Sequence, residues 1–311
     1  MIKYPITFVL GAGVSCEVGY PLGIELRTQI IERTHGFIAK GKKYTPIDQQ
    51  LIDSYGKDNL LQFHESLLKS GTPSIDDFLL IRKEFSEIGK YFIAETILRH
   101  EKEEMLYNPR ADEKTYDRIF HKYIKSKEDL EKLFFVTFNY DLSLELYLNN
   151  FLTHLFGIQK KNDLENESQK IKIIHPHGKL GDIESRKYGN AALKDFEEIS
   201  SLASEIYLMH EPKSEESYRQ SRLILEDSKK VIFLGLHYHE YNISRLRLDE
   251  VVIDHTRYGT KIFLGSSYGL TPSEINYLTK SSYAKRITFG DTNLKNVEYL
   301  RNCDIFNFNI S

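Results

Sequence analysis

Short apolar, β-branched runs recur along the chain. They are Ile6-Thr7-Phe8-Val9-Leu10, Leu133-Phe134-Phe135-Val136-Thr137, Ile171-Lys172-Ile173-Ile174, Val231-Ile232-Phe233-Leu234 and Lys261-Ile262-Phe263-Leu264. Each is short and nearly continuous in its apolarity, the pattern of strands in a parallel sheet covered on both faces. Four lead into a glycine, Gly11, Gly178, Gly235 or Gly265, and the other runs into Phe138-Asn139-Tyr140-Asp141. Open parallel sheets bind ligands outside the carboxyl ends of their strands. The residues just after these runs are therefore where chemistry is to be sought.

The long stretch between the first two runs has a helical period instead. Phe78, Ile81, Phe85, Ile88 and Phe92 step by three and four, which predicts one helix with an apolar face. Ser74, with Asp77 three residues on, predicts its capped start. Tyr116, Ile119, Phe120, Tyr123 and Ile124 form a second stripe, and Leu144, Leu148, Phe151 and Leu155 a third. The polar stretch 159–170 reads as a loop. Residues 190–227 read as mostly helical, with a short strand possible at Ile206–Met209. The fold class that results is α/β: a Rossmann-like parallel sheet with helices on both faces and a helical insertion. Residues 1–36 plus 130–311 form the core and 37–129 the insertion.

Composition narrows the function. The chain has 311 residues, 41% hydrophobic and 28% charged, enough for a large core and for two domains or one with an insertion. Lys plus Arg number 42 against 45 for Asp plus Glu, a formal charge of −3, which gives no support to direct nucleic-acid binding. Two cysteines, Cys16 and Cys303, exclude a disulfide framework and a four-cysteine zinc site and fit a reducing, cytoplasmic setting. No run is long and apolar enough to span a membrane. The apolar start, Met1 to Leu10, reads as a buried strand rather than a signal peptide.

Gly11-Ala12-Gly13-Val14-Ser15 follows the first strand directly. Glycines there let backbone N–H groups approach a phosphate at a helix start, or serve only a tight turn. A dehydrogenase would continue into a second strand ending in an acidic residue about 20 positions on. Here Gly19-Tyr20-Pro21-Leu22-Gly23 and a helix follow, which argues against hydride transfer. At the second strand end, Asp141 or Ser143 reads equally as the cap of the next helix. At the third, His175-Pro176-His177-Gly178 fixes His177 where a general base is useful. A metal role for the two histidines lacks an evident third ligand.

Taken in order, Gly11 to Ser15, Thr137 to Asp141 and His177-Gly178 resemble the motifs of the sirtuin-like superfamily. Gly235-Leu236-His237 is similar to a fourth segment, which in that family contacts the adenosine ribose. Gly19 to Gly23 and Tyr140 look more like the bacterial antiphage-defence branch than the protein-deacylase branch. The resemblance covers about two thirds of the chain. Two features depart from the family pattern: the four-cysteine zinc module of the deacylases is absent, and Leu236-His237 replaces the usual Thr-Ser or Tyr-Ser.

The resemblance implies NAD as substrate, no zinc, and Asn139 and His177 as catalytic residues. Gly11, Ala12, Gly13, Ser15, Thr137, Asp141, Gly235, Gly265 and Ser266 would bind the nucleotide. It implies an NAD glycohydrolase that depletes NAD in bacterial antiphage defence. A homo-oligomer or a partner that senses infection, an ATPase or an Argonaute-like protein, would gate it. Protein deacylation, ADP-ribosyl transfer and a non-catalytic NAD- or ADP-ribose-binding subunit are the alternatives.

Overall fold

The computed structural model describes residues 2–38, 43–108, 111–189, 195–251 and 261–305. All five apolar runs are strands: β1 (Ile6–Leu10), β2 (Leu133–Thr137), β3 (Lys172–Ile174), β4 (Lys230–Leu234) and β5 (Ile262–Gly265). A sixth, β6 (Thr288–Phe289), extends the edge beyond β5; at two residues it is too short to leave a pattern in the sequence. The sheet is parallel throughout, in the order β3-β2-β1-β4-β5-β6. This is the doubly wound α/β order, and its topological switch point lies between β1 and β4. Leu10 pairs with Thr137 on one side and Leu234 on the other, so the ends of the three central strands are level.

Alternation along the strands divides the core into two. Phe8, Leu10, Leu133, Phe135, Ile232 and Leu234 join one apolar cluster; Val9, Val136, Val231, Phe233 and Phe263 join the other. Helices cover both faces. α1 (Ala12–Cys16) and α2 (Gly23–His35) follow the glycine loop. The insertion supplies α3 (Pro46–Tyr55), α4 (Lys57–Lys69), α5 (Ile75–Ile81), α6 (Ser86–Arg99), α7 (Glu103–Leu106) and α8 (Thr115–Tyr123). The rest of the core supplies α9 (Ser143–Phe156), α10 (Lys161–Ser168), α11 (Phe196–Ala203), α12 (Lys213–Asp227), α13 (Glu240–Arg245), α14 (Pro272–Lys280) and α15 (Asn296–Ile305). Phe63, Phe78, Phe92 and Phe120 of the insertion belong to the same cluster as Phe8 and Phe135 of the sheet. The insertion therefore has no separate core, and each fully buried aromatic contributes roughly 1.5–3 kcal/mol to a shared one.

Four details differ from the sequence reading. The stripe Phe78 to Phe92 is not one helix: the backbone leaves helical geometry at Arg82, a 3-10 turn over Lys83–Phe85 follows, and α6 starts afresh. Ile81, at the end of α5, is 72% exposed although its spacing placed it in the core, and Leu155, in the last turn of α9, is 54% exposed. The polar stretch 159–170 contains α10, which buries none of its residues, so apolar periodicity had nothing to report. The possible strand at Ile206–Met209 is a single antiparallel bridge between Ile206 and Gly178, and residues 190–194 lie outside the described residues.

Ser74 does cap α5, accepting the Asp77 N–H at 3.0 Å.

Candidate active site

The sheet gathers the motif residues along one edge. Gly11 follows β1, Asn139 and Asp141 follow β2, His175 and His177 follow β3, Gly235 follows β4, and Ser266 follows β5. All lie at strand carboxyl ends, around the switch point.

The glycines there are spaces for backbone. A Cβ on Gly11 would lie 2.6 Å from the Gly235 oxygen, and one on Gly13 2.8 Å from the Gly235 Cα. Gly235 has φ +64°, and a Cβ there would lie 2.6 Å from the Val14 nitrogen. The β1 and β4 turns thus touch main chain to main chain, which only glycine permits. The Gly11 and Gly13 N–H groups donate to Leu234 and Gly235 carbonyls at 3.0 and 2.9 Å. Those two donors hold the turn together. Ala12 and Gly13 remain partly exposed at the crevice.

Ser15 links the loop to the end of β2. Its hydroxyl donates to Asp141 Oδ2 at 2.7 Å and accepts from Asn139 Nδ2 at 2.7 Å. Asn139 Nδ2 also donates to the Gly11 carbonyl at 3.1 Å, which fixes the orientation of the amide because a carbonyl only accepts. Among the described residues nothing donates to Asn139 Oδ1. Thr137 Oγ1 accepts the Asn139 N–H at 3.2 Å and steadies the turn. Asp141 Oδ1 accepts the N–H of Ser143, the first residue of α9, at 3.0 Å and also its hydroxyl. The N-cap of α9 is Leu142, which offers no side-chain cap, so neither Asp141 nor Ser143 is the cap residue; Asp141, one position earlier, ties the first residue of the helix to the glycine loop. Burial pushes its carboxyl above the ordinary value, against the Ser143 and Ser15 donors.

His175 and His177 take separate surroundings. His175 Nδ1 donates to the Asn139 carbonyl at 2.9 Å, and Nε2 meets Glu145 Oε1 at 2.9 Å. Burial would raise the Glu145 carboxyl, yet His175 and Lys179 hold it below the ordinary value. His177 Nδ1 faces the Tyr207 carbonyl at 3.3 Å, while Nε2 faces Asn242 Oδ1 at 3.0 Å and the Tyr218 hydroxyl at 3.3 Å. Burial pulls its imidazole below the ordinary value and favours the neutral form. Phe138 and Tyr140 flank its ring. Among the described residues no hydrogen bond joins His177 to Asn139; the structure makes two adjoining clusters. No group of three or more His, Cys, Asp or Glu among the described residues could hold a metal ion.

Gly265 and Ser266 also have structural partners. A Cβ on Gly265 would lie 2.4 Å from the Tyr238 hydroxyl, which itself donates to the Ser266 carbonyl at 2.7 Å. Ser266 Oγ donates to Asn296 Oδ1 at 3.1 Å and accepts the Gly235 N–H at 3.2 Å. Leu236 is partly exposed and His237 exposed.

The sequence reading missed what the insertion and the later helices bring. Asp76, next to the α5 cap, accepts from the Tyr140 hydroxyl at 2.6 Å, and Asp77 pairs with His239 at 2.8 Å. Tyr218 lies far from every motif in sequence, whereas Asn242 follows the Gly235-Leu236-His237 segment by only five residues. Ser15, Asn139, Asp141 and His177 are all between 2 and 9% exposed, so their side chains are buried. Compared with protein-family models and with curated proteins, the chain matches none.

Proposed function

We propose that the protein is an NAD glycohydrolase, converting NAD and water to nicotinamide, ADP-ribose and a proton. The observation that carries this reading is the Ser15–Asn139–Asp141 hydrogen-bonded cluster beside the switch point. It unites two of the sequence motifs that resemble the sirtuin-like superfamily. The strand order supports it further, because dinucleotides bind at such a switch point.

In this reading the glycine loop and its partly exposed Ala12–Gly13 edge receive the pyrophosphate. Asp141 receives the nicotinamide carboxamide, and Asn139 Oδ1 orients a water or ribose hydroxyl near C1′. The C1′–N bond breaks, its electron pair stays on nicotinamide, and C1′ passes through an oxocarbenium-like state of the kind common to glycosyl cleavage. Water forms the new C1′–O bond, and its proton passes to His177 Nε2 and then to solvent. Such positioning lowers a barrier by several kcal/mol. No zinc is required.

Unrestrained NAD hydrolysis is toxic, and the burial of Asn139, Asp141 and His177 suits a gated enzyme. The proposal therefore includes an antiphage effector role, with assembly or a protein partner that senses infection as the trigger. A second reading, a subunit that binds NAD or ADP-ribose without turnover, is favoured by the engagement of His177 Nε2 by Asn242 and Tyr218. Incubation with NAD at several protein concentrations, with nicotinamide and ADP-ribose followed by chromatography, separates the two. Release that disappears in folded Asn139→Ala and His177→Ala supports the enzyme, and a steep dependence on concentration supports gating by assembly. Equal NAD consumption by parent and variants sinks the assignment. Binding without release at any concentration, with or without cell extract, favours the second reading.

A further inference from the structure

We propose that Asn242, seconded by Tyr218, is the positioning residue that sets the proton affinity of His177 at Nε2. This deepens the proposed function and rests on it for its catalytic meaning. The carbonyl of Tyr207 can only accept, so His177 Nδ1 carries a hydrogen, and the titrating atom is Nε2.

Two groups face that atom, and their roles can reverse. When Nε2 carries a proton, Asn242 Oδ1 accepts it at the observed 3.0 Å, and the Tyr218 hydroxyl donates to the same oxygen at 3.1 Å. When Nε2 is bare, the Tyr218 hydroxyl, 3.3 Å away, turns to donate to it. Nε2 then has a partner in both protonation states, as a general base needs. Asn242 Oδ1 only accepts and loses both donors when Nε2 is bare, so it favours the protonated imidazole.

The neighbours agree with a finely set balance. Asp76 of α5 favours the charged imidazole, whereas Arg245 of α13 and burial oppose it. Arg245 lies over the Tyr218 ring, 4.1 Å from its centroid, and holds the tyrosine in place. The Phe138, Tyr140 and Tyr218 rings complete the enclosure. Asn242 sits in the short α13 after β4, so the strand that closes the glycine turn also brings in the regulator of the base.

The test is the pH titration of the His177 imidazole by NMR in protein labelled at histidine, with the signal assigned by His177→Gln. Asn242→Asp places a carboxylate at Nε2, and the midpoint is expected to rise by about one unit or more, roughly tenfold in proton affinity. Tyr218→Phe removes the donor to the neutral form and is expected to raise it by less; this variant also serves if Asn242→Asp does not fold. The acid limb of nicotinamide release should move with the midpoint. An unmoved midpoint in the folded variants overturns the inference. The titration is read without turnover, so a parent chain that releases no nicotinamide counts against the proposed function alone.

Discussion

Ser15 shows how much one hydroxyl does here. It satisfies Asp141 and Asn139 at once, and both are buried. Ser15→Ala removes a donor from a buried carboxylate oxygen and an acceptor from a buried amide. The expected loss is about 1–3 kcal/mol of stability, measured by urea unfolding. An unchanged unfolding midpoint would show that the two side chains do not depend on the link. The placement of these residues was legible in part. The glycine loop, the strand-end Asn139 and Asp141, and His177 stand in recognisable local patterns. Gly265 and Ser266 do not reveal from sequence that their partners are Tyr238, Asn296 and Gly235, because those contacts join segments remote in the chain.

Strands were easier to read than helices for a physical reason. A strand buried on both faces is nearly all apolar, as β1 is apart from Thr7, whereas a helix such as α10, with no fully buried residue, carries no apolar stripe. The break at Arg82 was hidden because apolar spacing continues across it, from Phe78 to Phe85 and Phe92. The cap at Ser74 was visible, but not that Asp76 and Asp77 beside it reach the core.

The Asp77–His239 pair gives this joint a pH dependence. The hydrogen bond to Asp77 raises the His239 pKa above its ordinary 6.5, and the same bond lowers that of Asp77 below 3.8. A raised histidine contributes below 6.5 and loses its contribution as pH climbs through its folded value. A lowered carboxyl contributes above 3.8 and loses its contribution as pH falls through its folded value. The joint is therefore firmest between these limits. Once corrected for intrinsic exchange, amide hydrogen exchange in α5 should quicken as pH rises through the His239 titration. His239→Ala should remove that dependence. A pH-independent α5 in the parent would mean that the pair does not hold the helix.

At the scale of the molecule, the parallel sheet and the existence of an insertion were legible, but strand order was not, since periodicity says nothing about which strands are neighbours. Nor could the sequence show that the insertion shares the core beneath the sheet. A buried ion pair joins the two. Glu101, after α6, is 1% exposed and meets Arg186, with one contact of 2.7 Å. Arg186 also donates to the Leu180 carbonyl at 2.6 Å, tying down the segment that follows His177-Gly178. Arg186→Met leaves Glu101 buried without its cation, and a loss of about 3–5 kcal/mol is expected in urea unfolding. A change under about 1 kcal/mol, the ordinary size for a surface pair, would contradict the joint.

The central claim is that the carboxyl edge of the sheet cleaves NAD by adding water to C1′. Its most direct test is incubation of concentrated protein with NAD, with products read by mass spectrometry and Asn139→Ala alongside. The account predicts nicotinamide together with an equal amount of linear ADP-ribose from the parent, and neither from the variant. A cyclic product, nicotinamide without ADP-ribose, or equal product from Asn139→Ala would contradict it.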